Sequence, residues 1–131
     1  MFVVSPQRWV CSEQPQHSEA IAQMVWNEEG TKLFAIDEVD LDHDGIAESI
    51  VTYPVGVHAS HVRVLKWHHN TPTILYEIGC STPNADFKTI SGVPTIILEQ
   101  SDYEPDYALG HRYQEFYQWN GKTFALNRSI R

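Results

Sequence analysis

The sequence predicts an all-β domain made of two four-stranded antiparallel sheets, with at most one short helix ahead of them. Three observations carry that expectation. From about Leu33 onward, short runs rich in Val, Ile, Thr, Tyr, Phe and Trp are separated by turn residues. These runs form two groups that can be laid over each other: GIAESIVTY from Gly45 on GVPTIILEQ from Gly92, and WHHNTPTIL from Trp67 on WNGKTFAL from Trp119. Finally, Asn120-Gly121 joins the last two runs, and both residues tolerate the positive φ that a tight hairpin demands.

Taken in order, SEAIAQMVW from Ser18 fits a helix through Ile21, Met24 and Val25, with Ser18 as its cap. The alternation of Ala20, Ala22, Met24 and Trp26 fits a strand equally, and MVWNEEGTKLF (Met24–Phe34) would then be a further hairpin. Strands are expected at Leu33–Val39, Glu48–Val55, His61–Trp67, Thr73–Ile78, Phe87–Ile90, Pro94–Gln100, Arg112–Trp119 and Thr123–Arg128. Residues 1–131 read as one domain with an internal repeat of approximately 33–80 and 86–131, the surplus of the second unit falling in SDYEPDYALG. Four strands in about 45 residues is the size of a propeller blade, and a closed propeller needs about four or more of them. Two blade-like sheets packed as a small sandwich or open barrel follow, in a monomer or weak oligomer.

Composition narrows the function. Of 131 residues, 42% are hydrophobic and 20% charged, which places the chain among globular proteins. The net charge of -8 repels phosphate backbones and anionic lipid, so nucleic acid and membrane surfaces are not expected partners; the same field attracts cations and basic proteins, with solubility as its plainer role. No segment approaches the roughly 20 apolar residues of a membrane span. The opening MFVVSPQRW is too short for a signal-peptide core, leaving a cytoplasmic chain or one whose signal has been removed. Cys11 and Cys80 are too far apart for a Cys-x-x-Cys pair; they read either as one disulfide in an oxidising compartment or as two buried thiols.

The stretch that carries chemistry is VDLDHDGIAES, with Asp40, Asp42 and Asp44 at alternating positions, Gly45 next and Glu48 beyond it. Two carboxylates about 4 Å apart repel by roughly 1 kcal/mol in water and about 4 kcal/mol at the effective dielectric near a protein surface, so a cation is expected among them. The side chains of Asp40, Asp42, Asp44 and Glu48 and the backbone carbonyl of Ile46 can surround one calcium ion, with water completing its shell. A solvated acidic turn is the plainer alternative. An EF-hand would need helical flanks and a bidentate acid where Val51 stands.

The motif VDLDHDGIAESIV resembles the calcium loops of FG-GAP and VCBS-type repeats, which occur in integrin-like propellers and many bacterial extracytoplasmic proteins. The resemblance covers about residues 36–67 and, loosely, 87–128. It implies a structural Ca2+ on the same five residues and a periplasmic or secreted location, where millimolar calcium fills such a loop. The second unit departs from the pattern, holding Phe87, Thr89, Ser91 and Thr95 at the ligand positions and keeping only Gly92, so no ion is expected there.

His58, His61, His68 and His69 raise a zinc or hydrolase alternative, but adjacent strand residues face opposite ways and no nucleophile elbow or phosphate cradle accompanies them. Trp67, Trp119, Tyr113, Phe116 and Tyr117 are expected to be strand-face core. Glu99, Asp102, Tyr103, Glu104, Asp106 and Tyr107 combine tyrosine contact area with acids that would steer a basic partner, and a solvated hairpin tip fits them as well. Asn127-Arg128-Ser129 matches a short glycosylation sequon. The layout also resembles bacterial inhibitor or immunity proteins directed at lysozyme-like enzymes, which share a blade-like β fold, a DxDxDG loop and acidic surface loops. That implies a non-enzymatic, calcium-stabilised binding module; a small histidine-based hydrolase and a fragment of a larger repeat array are the alternatives.

Overall fold

The computed structural model describes residues 17–102 and 111–130. One helix, α1 (Ser18–Glu29), precedes β1 (Ala35–Val39), β2 (Glu48–Val55), β3 (Ala59–His68), β4 (Thr71–Cys80), β5 (Ala85–Ile90), β6 (Val93–Ser101), β7 (Arg112–Trp119) and β8 (Phe124–Ile130). The strands form two four-stranded sheets, β1-β2-β3-β4 and β5-β6-β7-β8, with every neighbouring pair antiparallel. Each expected strand is present, mostly a residue or two longer, while Leu33 forms only an isolated bridge ahead of β1.

The N-terminal segment resolves as helix, which removes the hairpin reading of Met24–Phe34. Ser18 is not its cap. The residue before the helix, His17, takes a left-handed φ of 68° with no side-chain capping bond, and Ser18 is buried instead. His17 stacks on Trp67, with ring centroids 3.8 Å apart, so aromatic contact fixes the helix start where a hydroxyl was expected to. Gly30, at φ 64°, closes the other end by donating its N–H to the Trp26 carbonyl, as a left-handed C-cap does.

The sheets stack with a common polarity. The face of the first sheet bearing Tyr53, Leu65 and Trp67 packs on Ile21 and Val25 of α1. Its opposite face, with Ile50, Val62 and Val64, packs on Ile96, Leu98 and Phe124 of the second sheet, and Trp119 joins that layer. The helix therefore covers the Trp67 face of the first sheet as the first sheet covers the Trp119 face of the second. In both sheets the third and fourth strands shift register just ahead of that tryptophan, between Val64 and Leu65 and between Phe116 and Tyr117. Phe116 lies on the face opposite Tyr117, with the Arg128 guanidinium 4.5 Å from its ring centroid.

Polar groups stitch the sheets where the chain passes from β4 to β5. Ser60 Oγ donates to the Thr82 carbonyl at 2.8 Å, Thr82 Oγ1 to the Glu99 carbonyl at 2.6 Å, and the Ser81 amide to Gln100 Oε1 at 2.7 Å. Cys80 is a free, buried thiol donating towards the Glu99 carbonyl at 3.1 Å; Cys11 lies outside the described residues. Arg63 ties three elements together, bonding Glu28 of α1 and, at 3.1 Å, Glu77 of β4, which also meets His61 at 3.0 Å.

Two of these carboxylates predict a pH dependence. His61 and Arg63 hold Glu77 below its ordinary value of 4.5, and Arg112 and Asn84 do the same for Glu99. A depressed folded value contributes stability that is complete above about pH 4.5 and lost as pH falls through the folded value. Both sites are partly exposed, so each contributes at most about 1 kcal/mol. Urea titrations at about pH 6 and pH 3 should show that loss in the parent and a smaller one in E99Q; equal losses would deny the Glu99 contribution.

Candidate metal centre

The loop between β1 and β2 is shaped by its own acids. Asp40 accepts the Gly45 amide at 2.9 Å and the Asp44 amide at 3.2 Å, Asp42 accepts the Asp44 amide at 3.4 Å, and Asp44 accepts the Ile46 amide at 2.9 Å. His43 and Gly45 take positive φ values of 58° and 89°, and the glycine makes the sharper turn tolerable. The second unit has no such acids at its corresponding positions, and its strands pair up to the tight turn Ser91-Gly92, both at positive φ. Phe87 and Thr89 there are ladder residues of β5, Phe87 packs on the intersheet core, and Thr95 Oγ1 donates to the Val93 carbonyl at 2.9 Å.

Carboxylate oxygens of Asp40, Asp42, Asp44 and Glu48 lie within 4.8 Å of one another, a group that could hold a metal ion. Asp42 and Asp44 are exposed and Asp40 is half-buried. Glu48 is different. It opens β2 on the inward face it shares with Ile50, and it is 0% exposed. Its Oε1 accepts the Leu41 amide at 2.7 Å, whereas its Oε2 is buried with no hydrogen-bond partner. Burial pushes the Glu48 carboxyl up, opposed in part by the Leu41 amide. A buried carboxylate grouped with three other acids, one of its oxygens without a hydrogen bond, asks for a cation. Ile46, expected to contribute its carbonyl, donates its amide to Asp44 and has an exposed side chain.

Lys66 of β3 stands among these acids. Its ammonium bonds Asp42 and Asp44, the latter at 3.1 Å, and lies 3.9 Å from Glu48 Oε2, an ion-pair distance too long for a hydrogen bond. The Ile46 amide and then Lys66 hold the Asp44 carboxyl down to about 2, and the two aspartates push the Lys66 ammonium up. Sequence reading missed this residue. The signal was a lone cation between Leu65 and Trp67, and using it required knowing that the first unit brings β3 beside the start of β2.

Antiparallel order puts the β3–β4 hairpin at the same end of the sheet as the acidic loop. Together they border an open cleft of about 690 Å³, whose lining includes Asp44, Lys66, Trp67, His17, His68 and His69. Among the described residues the histidines form no metal-holding group of their own. His58 is exposed in the β2–β3 turn, and His61 is half-buried against Glu77.

Of the expected partner-contact residues, Asp102 is described and exposed, its Oδ1 accepting the His111 amide at 3.0 Å to close the neck of the β6–β7 connection. Tyr103, Glu104, Asp106 and Tyr107 lie outside the described residues. Glu99 turns to Arg112 and Asn84. Comparison with protein-family models, with curated proteins and with solved structures finds no significant match.

Proposed function

We propose that this chain is a non-enzymatic β module in which one calcium ion organises the β1–β2 loop, and that it works outside the cytoplasm by binding a basic macromolecule, in the manner of an inhibitor or immunity protein for a lysozyme-like hydrolase. The observation that carries the metal half is the buried Glu48 carboxyl, grouped with three aspartates and with its Oε2 lacking any hydrogen bond. The donor set favours calcium, which takes 6–8 carboxylate, carbonyl and water oxygens in a flexible shell, over magnesium, which demands a near-ideal octahedron. The net charge of -8 supports a basic partner by steering encounter. The histidine-based alternative has weaker support, because Glu77, the acid on His61, is shared with Arg63 in a link to α1.

Adding calcium to chelator-treated protein should raise its melting temperature by about 10 °C at a hundredfold excess over Kd, with magnesium giving much less. No shift from either ion would remove the metal half. A basic peptidoglycan hydrolase should be retained and inhibited by the calcium-loaded protein, and neither retention nor inhibition would remove the partner half.

A further inference from the structure

We infer that Lys66 is an internal competitor of the metal: its ammonium is the loop's cation when no ion is bound, calcium enters by displacing it, and the lysine thereby sets the affinity of the site. This rests on the metal reading above and deepens it. The ammonium touches Asp42 and Asp44 and lies 3.9 Å from Glu48 Oε2, and all three of those residues belong to the group that would take the ion. One set of oxygens cannot close around both cations, and their mutual repulsion adds to the exclusion. The displaced amine has somewhere to go. Its side chain is 26% exposed and borders the 690 Å³ cleft under the β3–β4 hairpin, so it leaves without crossing the core. Lysine suits exchange, since a single hydrated ammonium on a flexible stem holds carboxylates less rigidly than the arginine fork. The same contact explains how the acids stay gathered before an ion arrives, with Lys66 offsetting their repulsion.

The experiment compares calcium affinity, by competition with a chromophoric chelator, in the parent, K66M and K66Q. Both variants should bind calcium at least about tenfold more tightly than the parent, the effect of removing one adjacent positive charge, and should melt below it in chelator. Unchanged or weaker affinity in variants of a parent that does bind calcium overturns the inference and leaves the metal site standing. Failure of all three to bind overturns the metal reading and this inference with it. A second measurement needs no substitution: calcium should accelerate modification of Lys66 by an amine-reactive reagent, mapped by peptide mass, relative to Lys32, Lys88 and Lys122. A Lys66 rate that calcium leaves unchanged or slows also overturns it.

Discussion

Replacing Glu48 with glutamine is expected to abolish the calcium-dependent rise in melting temperature while leaving the chelated protein at least as stable as the parent. The two effects have one cause. Glu48 is 0% exposed, and burial disfavours its ionised form, so its charge costs stability until a cation meets it. Glutamine keeps an oxygen for the Leu41 amide, now at 2.7 Å from Oε1, and nearly the same volume, so the fold gives up little. The metal loses a charged ligand. Groups that merely orient a ligand are worth about 10–100-fold in metal affinity, so removing the ligand itself should cost about a hundredfold or more. Thermal melts of E48Q in chelator and in excess calcium make the comparison directly. A variant that keeps the parental calcium shift would place the ion elsewhere; one that collapses in chelator would make Glu48 a structural hydrogen-bond acceptor before anything else.

Glu48 and Lys66 should therefore act on calcium affinity with opposite signs although they lie 3.9 Å apart in one ion pair. In an ordinary structural ion pair, removing either partner costs stability and neither removal creates an affinity. Here the acid is buried and the base is only 26% exposed at its side chain, yet the acid's Oε2 receives no hydrogen bond from that base. The lysine compensates the aspartates well and Glu48 poorly, which is what a provisional cation would do where an ion with 6–8 oxygen ligands is the better occupant.

The class of fold was legible because it depends on local periodicity. Runs of β-branched and aromatic residues between turn residues were enough for β2 and β7 to be bounded to the residue, and the last turn was placed at Asn120-Gly121, although only Gly121 takes the positive φ expected of both; Asn120 instead shapes it by accepting the Lys122 and Thr123 amides at Oδ1. The acidic group was legible for the same reason: its members lie within nine residues of one another in the chain, and Asp40, Asp42 and Asp44 meet through bonds of the loop itself. What failed was whatever depended on distant partners. Ser18 looked like a cap, but His17 stacks on a tryptophan some fifty positions away, which no local pattern records. Lys66 failed likewise, since its acids lie across a strand pairing, and so did the burial of Glu48, which follows from sharing an inward face with Ile50.

Truncating Ile96 to alanine should destabilise the whole chain by about 3–4 kcal/mol, the usual cost of removing a fully buried branched side chain from a packed interior. Ile96 is 0% exposed at the centre of the intersheet core, beside Phe87 and Tyr117 in its own sheet and in one cluster with Ile50, Val62 and Val64 of the other. Few backbone hydrogen bonds join the two sheets, so this apolar layer and the Ser60–Thr82–Glu99 stitch must hold them together. Taken apart, each four-stranded sheet would expose to water the apolar face that this layer now buries. Hydrogen exchange should accordingly report the same loss from amides of β2 and β3 as from β6 and β7, because neither sheet persists when the layer between them weakens. If I96A instead left the first sheet at parental protection while the second opened, the helix-covered half would be a folding unit in its own right. The acidic β1–β2 loop, built on that half, would then be expected to bind the proposed ion unaided, and a fragment ending after β4 would show it.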